Sequence, residues 1–212
     1  MSDTADRLVL YADYVCPFCY LGTRSLEQCL DGLENPPEID WRPFDLRRGK
    51  RNPDGSIDHS VDDGKDDEYF EQARSNVRRL QDEYGVEMTQ ELALEVDSFD
   101  AQLAGWYVKQ EYPEQWAAFD EAIYEALWRD ERDIGDESVL ADLAADVSLP
   151  AEEIEAALDN ESLRADLDER FSAAQRLGVT GVPTFVFDGR AANGAVPPAQ
   201  LERLLSAGES GR

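Results

Sequence analysis

Basic residues are scarce in this 212-residue sequence: 20 lysines and arginines stand against 47 aspartates and glutamates, a formal net charge of −27. Lysine is the rarer of the two, present only as Lys50, Lys65 and Lys109. So acidic a surface repels nucleic acid and anionic lipid, which argues against both as partners. The acids are spread along the whole chain rather than gathered in a tail. That pattern reads as halophilic adaptation to a salt-rich cytosol, where salt screens the mutual repulsion of carboxylates. Also missing is any apolar run near the ~20 residues that a membrane span needs. The start, MSDTADRLVLYADY, is acidic and has no long apolar core, so no signal peptide is expected. A soluble, cytoplasmic protein is the resulting expectation. Histidine occurs once, as His59, and cysteine three times, as Cys16, Cys19 and Cys29. Three cysteines in a cytoplasmic chain make no disulfide framework. Structural zinc usually takes two separated pairs of ligands, and there is no second pair. His59 reads as a solvated loop residue, and DDGKDD (62–67) lacks the alternating ligands and closing Glu of a calcium loop. Neither a metal nor an organic cofactor is expected.

What is present is enough hydrophobic residue, 42%, for a sizeable core in one domain or one domain carrying an insertion. RLVLYAD (7–13) reads as a strand, and FCYLGTRSLEQCLDGL places apolar residues at helical spacing directly after it. PPEIDWRPFDL opens on a turn signal and predicts a second strand over Ile39 to Phe44. Residues 47–67 are polar and rich in Gly and Asp, the composition of a long loop. From about 68 to 177 the period is helical: Phe70, Val77, Leu80 and Tyr84 form one stripe, Trp116, Phe119, Ile123 and Leu127 another, and Leu163, Leu167, Phe171 and Leu177 the last. Gly178 then stands where a helix ends. VPTFVFDG (182–189) is a strand left through Asp-Gly, AANGA can pair back on it, and PPAQLERLLSA closes as a helix with proline in its first turn. The order is β-α-β, a helical block, then α-β-β-α. The two ends make one α/β layer of sheet and helices, and the middle is an all-helical insertion.

Cys16 and Cys19 sit at the first strand-to-helix junction, three apart, with Pro17 and Phe18 between them. The first turn of a helix offers unpaired N–H groups and the positive end of its dipole, both of which favour a thiolate. A pair so placed can close a disulfide across that turn, and Pro17 fits where no helical N–H is needed. An inert core pair would not need a proline at that place. Cys16 is expected to be the exposed nucleophile and Cys19 the buried resolving thiol. Cys29 reads as an inert core thiol.

The strand, the CPFC junction, WRPFDL, the helical insertion and GVTGVPTFVFDG resemble the DsbA-like thioredoxin-fold oxidoreductases, and most nearly their FrnE-like branch, a relative of the 2-hydroxychromene-2-carboxylate isomerases. The resemblance covers nearly the whole chain. It implies a thioredoxin-like domain over 1–64 and 178–212, with a helical insertion at 65–177 whose last helix packs back on that domain. It implies that Pro183 is cis and faces the cysteines. It also implies that Pro17, Phe18, Gly181 and Val182 meet substrate, Val182 pairing its backbone with an extended peptide. The implied activity is thiol:disulfide exchange on protein or small disulfides, with a separate redox partner. Many relatives carry a buried acid six residues before the first cysteine; here that position is Leu10, and Asp13 nearby reads as a turn residue. Water is then left as an acceptor for the Cys19 proton. The alternative is a low-molecular-weight-thiol-dependent isomerase or transferase, like the isomerase and kappa-class glutathione transferase relatives. Those use a serine-type site where Cys16 stands, and the intact pair argues against that chemistry.

Overall fold

The computed structural model describes residues 7–62 and 64–206. The acidic start (1–6), Asp63 and the final residues from Ala207 onward lie outside the described residues. The chain runs β1 (Arg7–Ala12), α1 (Pro17–Leu30) and β2 (Glu38–Pro43), then six helices: α2 (Asp67–Tyr84), α3 (Phe99–Glu111), α4 (Trp116–Trp128), α5 (Glu137–Asp146), α6 (Ala151–Leu158) and α7 (Glu161–Arg176). It closes with β3 (Thr184–Phe187), β4 (Arg190–Asn193) and α8 (Pro198–Ser206).

The four strands form one sheet in the order β2-β1-β3-β4. β1 and β2 are parallel, so α1 is the crossover between them, as a β-α-β unit requires. β3 is antiparallel to β1 and brings Phe185 beside Leu10 and Thr184 beside Tyr11. The Asp188–Gly189 turn has positive φ at both residues (47° and 72°), the left-handed backbone region that a tight two-residue hairpin needs, and it folds β4 back on β3. Alternation along β1 sorts its side chains between two layers. Leu8, Leu10 and Ala12 join the main core with Trp41, Phe185 and Leu201. Tyr11 packs with Phe44 and with Ala174 of α7, so the last helix before β3 lies against the sheet.

Between α2 and α3 the helical period is interrupted over residues 85–98, which hold no helix. α2 starts where the Asp66 side chain accepts from the Tyr69 N–H at 2.9 Å, and ends at Gly85 with φ 67°. The segment predicted as loop carries a short 3-10 turn, Arg48–Lys50, and one bridge, Arg51 to Ile57. Among the described residues, no helix is long and apolar enough to cross a membrane.

Candidate active site

The site begins where β1 stops. Val15 N–H donates to Asp13 Oδ1 at 3.2 Å and Cys16 N–H to the Asp13 carbonyl at 3.1 Å, closing a turn of four residues. Cys16 is the N-cap of α1, with extended backbone (φ −92°, ψ 112°), and Pro17 occupies the first turn. The amides of Cys19 and Tyr20 both donate to the Cys16 carbonyl, at 2.9 and 3.4 Å. This puts the Cys19 thiol one turn into the helix, beneath Cys16.

Strand β3 supplies the other wall. The Val182–Pro183 peptide bond is cis. The Cys16 thiol faces the Val182 carbonyl at 3.6 Å, across 166 positions of sequence. Thr184 Oγ1 ties this loop down, bonded to the Gly181 carbonyl at 2.8 Å and to Asn193 Oδ1 at 2.9 Å. Gly22, one turn beyond Cys19, lets α1 approach: a Cβ there would stand 2.9 Å from Pro183 Cγ and 3.3 Å from the Phe185 ring. Pro17, Phe18, Gly181 and Val182 are each half-buried, and Phe18 also packs against the cluster formed by Leu21, Val77, Leu80 and Tyr84. Pro183 itself is buried.

The expected exposure of Cys16 needs correction. It is only 5% exposed, Cys19 and Cys29 not at all, and all three are free thiols. The Val182 loop and the neighbouring core cover Cys16. Burial pushes the Cys19 thiol well above its ordinary value, and its hydrogen bond to Cys16 and the charge of Cys16 act in the same direction. His59 stands exposed beside Glu95 at 3.6 Å.

Asp13 also needs correction, because it is more than a turn residue. Its side chain is completely buried, and its carboxylate accepts from Ser98 Oγ at 2.6 Å, from the Leu46 N–H at 2.9 Å and from the Val15 N–H. Burial raises its pKa to about 6 against these three donors. The Asp13 backbone acts to lower the Cys19 pKa and the charge of its carboxylate to raise it. A sequence signal was available: an acid flanked by Ala12 and Tyr14 in an otherwise apolar run.

Helices between β2 and β3 grip the same turn. Ser98, the N-cap of α3, is the residue bonded to Asp13. From α4, Trp128 Nε1 donates to the Tyr14 carbonyl at 2.8 Å, while the Tyr14 hydroxyl donates to Asp120 Oδ1 at 2.8 Å. Beside the site, a groove of about 530 Å³ lies between α1, α4 and the end of α2, with Tyr20, Arg24, Glu121 and Arg129 among its walls. Arg24 is held by Glu27 and Glu121 at 2.8 and 2.9 Å, and Arg129 by Glu125. Both guanidiniums are thus already matched by carboxylates, a poor receptor for a small acidic thiol.

The DSBA-like thioredoxin domain family matches over residues 7–206. The chain is 26% identical over 201 residues to the uncharacterized protein YwbO of Bacillus subtilis (strain 168), covering 94% of this chain and 96% of that one. Among solved structures it is similar to a probable DsbA oxidoreductase from Streptomyces coelicolor, with TM-score 0.79, 26% identity and coverage of 97% of this chain and 91% of that one. It is similar in fold to a 2-hydroxychromene-2-carboxylate isomerase, with TM-score 0.75, 20% identity and coverage of 96% and 95%.

Proposed function

The chain belongs to the DSBA-like thioredoxin domain family, and from that premise we propose a thiol:disulfide oxidoreductase working through Cys16 and Cys19. The observation that carries this reading is the pair itself: Cys16 caps α1 beside the Val182 carbonyl, and Cys19 lies one turn in. In the forward direction the Cys16 thiolate attacks one sulfur of a substrate disulfide. The Cys16–substrate bond forms, the substrate S–S bond breaks, and the first thiolate leaves. Cys19 then gives up its proton and attacks Cys16 Sγ. The Cys16–Cys19 disulfide forms, the second substrate thiolate leaves, and the protein has lost the two electrons the substrate has gained. In reverse, the oxidised pair takes two electrons from a dithiol. A dithiol or disulfide partner resets the couple between turnovers.

In this reading the Cys19 proton passes to Asp13. Its pKa of about 6 leaves it mostly a carboxylate at neutral pH, while burial holds the Cys19 thiol protonated. Gly181 and Val182 offer backbone to an extended substrate, with Pro17 and Phe18 at its other side. The helices between β2 and β3 cap the pair and shape what reaches it. The site suits a cytoplasmic setting in which a reducing partner keeps the couple cycling.

Brief alkylation of the reduced protein near neutral pH, followed by peptide mapping, tests the assignment. Label should appear first at Cys16, and turnover of a disulfide substrate should fall in proportion. Dominant label at Cys29, or full turnover by protein alkylated at Cys16, would remove Cys16 as the nucleophile.

A further inference from the structure

Arg51 stands in the polar segment after β2, six residues past Asp45, yet its side chain is mostly buried. Its Nε donates to Asp45 Oδ2 at 2.6 Å, Nη1 to Asp97 Oδ2 at 2.8 Å and Nη2 to Asp97 Oδ1 at 2.7 Å. The guanidinium also lies over the Phe99 ring, 5.1 Å from its centroid. A flat fork of five N–H donors can hold two carboxylates at once, whereas a lysine ammonium is a point charge. The two acids come from distant parts of the chain, and each stands one residue before a donor to Asp13. Leu46, after Asp45, gives its N–H to Asp13 Oδ2 at 2.9 Å. Ser98, after Asp97, gives its hydroxyl to Asp13 Oδ1 at 2.6 Å. Gln102 donates to Ser98 Oγ at 3.2 Å, which leaves the one hydroxyl proton for Asp13. Asp13 in turn holds the Val15 N–H at 3.2 Å and, through its carbonyl, the Cys16 N–H at 3.1 Å.

We propose that Arg51 is a positioning residue for Cys16: by clasping Asp45 and Asp97 it fixes Leu46 and Ser98, the two donors from outside the turn that hold the Asp13 carboxylate, and with it the turn on which Cys16 stands. The proposal rests on the redox reading for its kinetic consequence alone. The contacts at both ends of the chain are charge-assisted, guanidinium to carboxylate and then N–H or O–H to carboxylate, which are the short, strong kind. Burial works against the Asp13 charge, and the donors work for it. A clasp that slackens lets Leu46 and Ser98 drift, so Asp13 takes up a proton more readily and grips its turn less. The other titratable or charged groups around Asp13 are Asp45 and Arg47 after β2, Asp97 before α3, Tyr14 in its own turn and Cys19 on α1. All of these stay in place when Arg51 alone is changed.

Arg51→Lys keeps the positive charge and loses the clasp. Ser98→Ala removes one donor outright and sets the scale. The Asp13 carboxyl carbon is followed by NMR in aspartate-labelled protein, identified as the resonance missing from Asp13→Asn. Ser98→Ala should raise the Asp13 midpoint by about one pH unit, and Arg51→Lys by about half a unit or more. The reduced proteins are also mixed at pH 8 with an aromatic disulfide whose released thiolate absorbs light. The first equivalent, released by Cys16, should appear about tenfold more slowly in both variants. Asp97→Asn, which keeps an oxygen for the Phe99 N–H, takes the place of Arg51→Lys if that variant does not fold, and should move both readings the same way. An Asp13 midpoint that stays put when the clasp is broken overturns the proposal; with a lowered unfolding midpoint, Arg51 would simply brace the segment after β2. A midpoint that moves while the first phase does not also overturns it, because Cys16 would then be placed without the clasp. If the first equivalent survives Cys16→Ser, the redox reading fails and takes the proposal with it. The Asp13 titration needs no turnover, so it tells that failure from a failure of the clasp.

Discussion

Replacing Cys19 with serine is expected to stop turnover and leave the protein covalently joined to its disulfide substrate. Cys16 keeps its place at the helix start beside the Val182 carbonyl, so the first attack proceeds. The second attack has no sulfur to make it, since a serine hydroxyl is a far weaker nucleophile at neutral pH. Well-placed intramolecular partners reach effective concentrations of about 10⁵ M, which millimolar thiol in solution cannot replace, so resolution should slow by at least about a thousandfold. Non-reducing gels and intact-mass measurement would show the adduct. The same variant separates the competing chemistry, because a thiol-dependent isomerase or transferase does not use a resolving thiol. Wild-type turnover by Cys19→Ser without an adduct would favour that alternative.

Asp120→Asn should stabilise the protein above pH 7 and leave it nearly unchanged near pH 4. Burial pushes the Asp120 carboxyl from its ordinary value up to about 7, against the hydrogen bond from Tyr14 and with added repulsion from Glu27. A raised carboxyl holds its proton in the folded state after the unfolded chain has lost it. Stability is therefore greatest below the ordinary value near 4, and falls as pH climbs from there to about 7. A displacement of about three pH units corresponds to about 4 kcal/mol lost by the wild type once Asp120 is charged. Asparagine keeps an oxygen for the Tyr14 hydroxyl and cannot ionise, though its hydrogen bond is weaker than one to a carboxylate. The Tyr14 bond is already contained in the pKa of about 7, so the net gain at pH 8 should be about 4 kcal/mol, closing to about zero at pH 4. Asp13, raised to about 6, has the same sign, so the variant keeps part of the wild-type decline. Comparing the two proteins at each pH cancels the general repulsion of the acidic surface. Parallel stability curves from pH 4 to 8 would show that Asp120 is not held protonated.

The sequence made the scaffold legible because the scaffold rests on period and punctuation. The strand before Cys16, the helix after it, the helical middle and the Asp-Gly hairpin all follow from local patterns, and the second strand differs by one residue at each end. The approach of Val182 to Cys16 could come only from resemblance, because no local pattern links residues 166 positions apart. The shielding of Cys16 escaped for the same reason. The buried acids escaped for another: in a chain with 47 carboxylates, a carboxylate that happens to face inward looks like its neighbours. Asp13 read as a turn residue because Asp favours turns, and it does serve the turn while its side chain points into the core. On α4 the apolar stripe of Phe119, Ile123 and Leu127 was visible, whereas the adjoining pair Asp120 and Tyr124, also buried, was hidden beside it.

The central claim is that Cys16 and Cys19 form one reversible two-electron couple. Its most direct test is to equilibrate the protein across a series of thiol–disulfide buffers, quench with acid, alkylate under denaturing conditions and map every cysteine by mass. The expected result is a single transition in which Cys16 and Cys19 pass together from two alkylated thiols to one disulfide, the ratio changing tenfold for each ~30 mV of poise. Cys29 should remain alkylatable throughout. Absence of a Cys16–Cys19 disulfide at every poise, or a transition that consumes Cys29, would contradict the account.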